Sequence, residues 1–159
     1  MEVIPNIGVG SVRFGMSPAE VLAHFPEGQK YGDWMGGNRN DSLLFHGLIF
    51  GFDGCDGDGP LAASRLVEFT IYGREDVRLW GQGLGDWSKE AVAEYLRRHG
   101  ISYEIHENGD WSVRPHSLNI SFTEEGHIDW VEAWANLEPK APAARTGLGR
   151  IFSFLSGRA

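Results

Sequence analysis

Apolar positions along this chain recur first with a helical and then with a strand period, and that succession comes round twice. In the first pass Val21, Leu22 and Phe25 make one face of a helix opening after Ser17. Ser17 is a favourable N-cap, Pro18 sits where a missing N–H costs nothing, and Glu20 three residues on completes a capping box. Pro26 and Gly28 stop this helix early. Residues 7–16 before it read as an extended segment or loop, and Trp34 and Met35 as the start of a strand ahead of the polar turn 36–40. From Leu43 to Phe52 apolar residues alternate, with Leu44, His46, Leu48, Phe50 and Phe52 on one parity. This predicts a half-buried strand broken by a turn near His46-Gly47. The loop 53–60 cannot continue it. Arg65 to Tyr72 alternates again, with Val67, Phe69 and Ile71 on one side and Leu66, Glu68, Thr70 and Tyr72 on the other.

The second pass opens after Gly81-Gln82-Gly83-Leu84-Gly85-Asp86. Ser88 is its N-cap, and Ala91, Val92, Tyr95 and Leu96 have helical spacing. Arg97, Arg98 and His99 complement the C-terminal dipole before Gly100. Strands follow at Ile101–Ile105, at Trp111–Val113 after an Asn108-Gly109 hairpin turn, at Leu118–Phe122, and at Ile128–Trp134 after the Glu124-Glu125-Gly126 turn. Ser17, Val21 and Phe25 fall on Ser88, Val92 and Leu96 at an offset of 71. Leu48, Phe50 and Phe52 fall on Leu118, Ile120 and Phe122 at 70, and Leu66, Phe69 and Tyr72 on Ile128, Val131 and Trp134 at 62. The drop from 70 to 62 is a longer loop in the first copy, at 53–64. The reading is an α+β protein: two tandem helix-plus-antiparallel-sheet units, 7–72 and 84–135, within one domain at 1–138 and joined near 73–86. One continuous sheet is an arrangement open to them.

Composition sharpens this picture. The 22 glycines in 159 residues are about twice the ordinary share. They favour tight turns and short strands over a helical bundle. The chain carries −8, yet residues 139–159 hold four bases and no acid, so the body 1–138 sets ten bases against 22 acids. A field of −12 repels nucleic acid and anionic lipid and attracts cationic partners. After Glu138 a Pro/Ala-rich linker leads to an apolar, basic segment at 147–156, read as a tail docking on the acidic body. A frayed end and a surface-seeking segment are the alternatives. Cys55 is the only cysteine, no secretory leader opens the chain, and no apolar run approaches ~20 residues. These features point to the cytoplasm.

No catalytic set emerges. Asp53, Asp56 and Asp58 are spaced by glycines but lack the terminal Glu and the flanking helix of a calcium loop. The six histidines have no helical zinc spacing, and three acids around Cys55 oppose a thiolate. The glycine-rich stretches match neither phosphate-loop nor dinucleotide pattern. No metal and no cofactor are expected. The six tryptophans are more telling. If Val131 faces the core, Trp130, Glu132 and Trp134 lie on the outer face, and aromatics interleaved with carboxylates suit a protein interface. Packing of those tryptophans in the core or under the tail is the competing account.

The stretch Gly8-Val9-Gly10-Ser11-Val12-Arg13-Phe14-Gly15-Met16-Ser17-Pro18-Ala19-Glu20-Val21 resembles the opening of small bacterial immunity proteins of the polymorphic-toxin type. There a Gly-x-Gly-x-(Ile/Val)-x-(Phe/Leu)-Gly-Met-(Ser/Thr)-x-x-Glu-Val run leads into the first helix. It is also similar to the turn-helix of the SmpA/OmlA outer-membrane assembly lipoproteins, which share a fold with each half of the tandemly repeated β-lactamase inhibitor protein. The chain lacks the lipobox Cys of the former and the leader and disulfides of the latter, so the cytosolic immunity type fits better. The resemblance covers about fourteen residues well and the element order loosely. It implies an immunity protein that binds a cognate toxin and occludes its active site. The charge of the body suggests a toxin with a basic cleft. The expected partner surface is Asp53, Asp56, Asp58, Glu124, Glu125 and the Trp130–Glu132–Trp134 face. No nucleic acid or membrane is expected as a partner. A ligand-binding protein or enzyme, with a pocket around His46, His106, His116 and Trp111, is the rival.

Overall fold

Two serines start the two helices. The Ser17 hydroxyl accepts from the Glu20 amide at 3.4 Å, while the Glu20 carboxylate accepts from the Ser17 amide at 2.7 Å. The expected capping box therefore closes at the head of α1 (Pro18–His24). The Ser88 hydroxyl accepts from the Ala91 amide at 3.2 Å and opens α2 (Lys89–Arg98). Arg97 and Arg98 in the last turn both reach the Glu94 carboxylate, and Gly100 ends the helix at φ +65°. The computed structural model describes residues 1–135 except 26–28, 31, 32, 35, 36, 39, 40, 46, 58 and 74. Asp58, His46 and the basic tail lie outside the described residues.

The strands in chain order are β1 (Glu2–Ile4), β2 (Gly8–Val9), β3 (Val12–Arg13), β4 (Gln29–Lys30), β5 (Asp33–Trp34), β6 (Gly37–Asn38), β7 (Ser42–Phe45), β8 (Leu48–Phe52), β9 (Leu66–Tyr72), β10 (Arg78–Leu79), β11 (Gln82–Gly83), β12 (Glu104–Ile105), β13 (Trp111–Val113), β14 (Leu118–Phe122) and β15 (Ile128–Trp134). A large sheet has the order β12-β13-β14-β15-β9-β8-β7-β4, a small one the order β11-β10-β1-β2-β3, and β5 pairs with β6. The large sheet thus takes four strands from each unit and joins them where the two last strands, β9 and β15, run antiparallel.

The strand pairings repeat at the offsets read from the sequence. Leu48, Ile49, Phe50 and Gly51 oppose Ile71, Thr70, Phe69 and Glu68, and after a bulge Phe52 opposes Leu66. In the second unit Leu118, Asn119, Ile120 and Ser121 oppose Ala133, Glu132, Val131 and Trp130, and after a bulge Phe122 opposes Ile128. At the junction Thr70 opposes Glu132, its own counterpart 62 residues on. A pseudo-twofold axis therefore passes through that pair. Such an axis maps each face of the sheet onto itself, so the two described helices cover one face and leave the other without a described helix over it.

The repeat also reaches further upstream than expected. Hairpin β2–β3 (Gly8 opposite Arg13, Val9 opposite Val12) recurs as β10–β11 (Arg78 opposite Gly83, Leu79 opposite Gln82), again 70 residues on. The segment 73–86 is thus not only a joint; it carries the opening hairpin of the second unit. Strand β1 runs between the two hairpins, parallel to β10 and antiparallel to β2.

Phe50, Phe69, Ile71, Leu118, Ile120 and Val131 share one buried cluster with Val21 of α1 and Val92 and Leu96 of α2. Three sequence expectations shift. Phe45 opposes Leu48, and Leu43 and Phe45, not Leu44, take the core side. The bulge at Gly51/Phe52 brings Leu66 into the core with the opposite parity to that expected. The predicted strand 101–105 contracts to Glu104–Ile105 at the sheet edge, where Ile105 is 60% exposed. No helix among the described residues is long and apolar enough to cross a membrane.

One position separates the units in the core. Gly10 and Trp80, 70 residues apart, both adopt left-handed backbone, at φ +58° and +52°. For a tryptophan this costs roughly 1–2 kcal/mol. Stacking of Trp80 on Tyr95 at 4.5 Å and its contacts with Trp87 and His116 offset that cost. Burial, aided by nearby His99, holds the His116 ring below its ordinary value of 6.5. Below 6.5 the unfolded chain therefore binds more protons at this site than the folded one. Stability should be indifferent to this group above about pH 6.5 and fall as pH drops through the window down to the lowered native value. Denaturant titrations across that window should give a slope that His116→Phe reduces; an unchanged slope would assign it to other groups.

Candidate functional site

The open face of the large sheet is built by alternation along its two central strands. Val131 and Ala133 turn into the core at 0% and 1% exposure, which sends Trp130, Glu132 and Trp134 to the other side, each half-buried. On β9, Phe69 and Ile71 are inward, and Glu68, Thr70 and Tyr72 lie on the open side. Register then sets Trp134 beside Glu68, Glu132 beside Thr70 and Trp130 beside Tyr72. Six side chains form a two-by-three lattice centred on the pseudo-twofold axis. Neighbouring Asn119 and Ser121 extend it on the second unit's side, whereas on the first unit's side Ile49 is 3% exposed and Gly51 is buried. The Glu68 side chain lies over Gly51, where an added Cβ would sit 2.5 Å from Glu68 Cγ.

A polar chain crosses the second unit's half of this face. His106 Nε2 is 2.6 Å from Ser112 Oγ, Ser112 Oγ is 2.6 Å from Asn119 Oδ1, and Asn119 Nδ2 is 2.8 Å from Glu132 Oε2. The carboxylate sets the direction of these bonds. The Asn119 amide donates to Glu132, so its oxygen faces Ser112 and accepts the hydroxyl proton. Ser112 in turn accepts from His106. In this arrangement His106 is a donor to Ser112 and is not poised to remove its proton, as a serine nucleophile would require. The chain ends in a shallow depression of about 330 Å³ lined by Glu68, Ser112, Arg114, Asn119, Glu132 and Trp134. Arg114 pairs with Glu104 at 3.1 Å.

The remaining expected residues lie elsewhere. Asp53 follows β8 and bonds to Arg65 through both oxygens, at 2.7 Å to the amide and 3.0 Å to Nε, closing its loop. The Asp56 amide donates to the Gly59 carbonyl in the same loop. Glu124 and Glu125 sit in the β14–β15 turn, where Glu125's own backbone N–H holds its carboxyl below the usual range. Because β9 and β15 are antiparallel, the two loops fall at opposite ends of the sheet, roughly 20 Å apart along the strands. Glu124 and Glu125 share their end with a cleft of about 590 Å³ lined by Glu75, Asp86 and Asp129. The structure thus brings together Trp130, Glu132 and Trp134 and sets the Asp53–Asp56 loop apart from the Glu124-Glu125 turn.

Comparison with protein-family models, curated proteins and solved structures yields no significant match. The site stands on its own geometry. His106 lies on the open face, whereas Trp111 is in the core against Tyr103 and Phe122, and His116 packs on Trp80. The pocket expected around His106, His116 and Trp111 is therefore not assembled from these three. Sequence reasoning missed Glu68, Tyr72 and the polar chain as parts of the site. The outward parity of Glu68 and Tyr72 was readable, but their meeting with β15 depends on how the two units join. His106 lies just past β12; the sequence suggests it for a pocket with His116 and Trp111, but not its bond to Ser112.

Proposed function

We propose that this chain is an immunity-type protein, acting in the cytoplasm, that binds a cognate basic toxin on the open face of its eight-stranded sheet and occludes the toxin's active site. The observation that carries this reading is the lattice of Trp130, Glu132 and Trp134 against Tyr72, Thr70 and Glu68. It sets three partly exposed aromatic rings and two carboxylates on a sheet face with no described helix over it. Aromatic anchors give contact area at low entropic cost, and the carboxylates, with the acidic end at Glu75, Asp86, Glu124, Glu125 and Asp129, steer a positive partner. The same field disfavours nucleic acid and anionic membrane. The exposed, solitary Cys55 is compatible with a reducing compartment. In this reading the protein binds and does not catalyse.

The test is coexpression with the products of the genes next to its own in the source genome. One of them should be toxic alone, be neutralised by this chain, and co-purify with it as a stable complex. If no neighbouring product is bound or neutralised, the immunity reading falls.

A further inference from the structure

We propose that His106, Ser112 and Asn119 are positioning residues of the partner surface. In series they hold the carboxylate of Glu132 at the pseudo-twofold axis, with one oxygen bound and the other left for a hydrogen-bond donor of a basic partner. The inference rests on the reading of this face as a partner surface and adds to it how the central contact is set.

The molecule carries its own control for this assignment. The axis maps the paired Ser112 and Asn119 of the second unit onto the paired Leu44 and Ile49 of the first, and Glu132 onto Thr70. The same scaffold position therefore holds two apolar side chains and a short neutral one on one side of the axis. On the other side it holds a hydrogen-bonded chain that ends on a carboxylate. Exposure does not account for the difference. Ser112 is 8% exposed and polar, whereas its counterpart Leu44 is more exposed and apolar. The first unit folds with the apolar version, so the polar version serves something other than folding.

The order of the bonds shows what it serves. Glu132 accepts from Asn119 at 2.8 Å, Asn119 accepts from Ser112 at 2.6 Å, and Ser112 is 2.6 Å from His106. An amide bonded only to Glu132 could turn about its last torsion. With its oxygen held by the Ser112 hydroxyl, and that hydroxyl held by His106, it is fixed. Among the described residues Asn119 is the only hydrogen-bond partner of Glu132, through Oε2 alone, so Oε1 keeps its acceptor capacity. Trp130 and Trp134 stand two residues to either side on the same face. A free glutamate loses much rotamer entropy when a partner immobilises it; one fixed beforehand loses little. The flanking indoles would shield the new bond from water.

The experiment compares the full-length wild type with Ser112→Leu/Asn119→Ile, which copies the first unit's pair into the second. The double variant should keep the fold by circular dichroism. In ¹³C relaxation of glutamate-labelled protein, the order parameter of its Glu132 side chain should fall below about 0.6, the flexible range. The toxin found among the neighbouring gene products should bind it at least about tenfold more weakly. Ser112→Thr, which keeps the hydroxyl on a side chain suited to a strand, should match the wild type in all three. If the double variant does not fold, Asn119→Ser, which withdraws the amide from Glu132 without adding bulk, is read for Glu132 order and toxin affinity in the same way. A Glu132 side chain equally ordered in wild type and variant would overturn the proposal. So would an unchanged toxin affinity beside a loosened Glu132. A wild type that binds no toxin would instead remove the reading of this face, while the relaxation comparison would still decide whether the chain positions Glu132.

Discussion

Phe69→Ala is expected to destabilise the protein by about 3–5 kcal/mol, and to do so in both units at once. Phe69 is 1% exposed, stacks on Phe14 at 5.3 Å and contacts Phe50 at 6.3 Å. Across the junction it opposes Ala133, while Ile71 opposes Val131. A large residue meets a small one, and two middle-sized residues meet each other. Ala133 is too small to fill the space that Phe69 would leave, so the cavity persists and the full penalty applies. Because β9 and β15 pair directly, a loss at Phe69 is felt from either side. A single, shifted denaturation transition should be seen by far-ultraviolet circular dichroism and by the tryptophan fluorescence of Trp80, Trp87 and Trp111, all in the second unit. A loss of about 3–5 kcal/mol would take a large part of an ordinary domain's stability. Two separate transitions, one unchanged from the wild type, would mean that the units fold independently.

The duplication was readable from the chain because both units must satisfy the same rules. Ser17 and Ser88 cap helices by the same chemistry, and Leu48, Phe50 and Phe52 alternate as Leu118, Ile120 and Phe122 do. Those regularities are local, so sequence expresses them. The bulges at Gly51/Phe52 and Ser121/Phe122 are not local; they appear as a parity error at Leu66, whose burial a strict period of two denies. The opening hairpins were hidden for another reason. Two-residue strands such as Gly8–Val9 and Arg78–Leu79 are too short to show a period, and Gly10 and Trp80 share a backbone conformation while sharing no chemistry.

The candidate site divides along the same line. Trp130, Glu132 and Trp134 were placed on one face by their spacing alone. Grouping them with Asp53, Asp56, Glu124 and Glu125 relied on charge, which says nothing about where the ends of strands lie. The antiparallel junction sends one acidic loop to each end of the sheet. Asp53 proves to be a loop-closing partner of Arg65. The acidic end that remains lies past Tyr72 and Trp130, so it can steer a partner toward the aromatic lattice.

If the proposed function holds, Trp130→Ala should lower affinity for the proposed toxin partner by about 2–4 kcal/mol, roughly 30- to 1000-fold in Kd. Trp130 lies next to the axis, paired with Tyr72, on the side of the lattice toward the acidic end. Truncation removes a ring that contributes contact area and shields its neighbours from water, so the loss should appear mainly as faster dissociation. Reversing the charges of Glu124 and Glu125 to lysine should act differently. Both are exposed in a turn, and their part is long-range attraction, so association should slow and lose salt dependence while dissociation changes little. Trp130 turns away from the core, so the variant's thermal midpoint should stay close to that of the wild type. Surface plasmon resonance at two ionic strengths separates the two effects. If Trp130→Ala bound like the wild type while the double lysine variant lost most of its affinity through faster dissociation, the contact surface would be the acidic end itself, and the aromatic lattice would have no part in it.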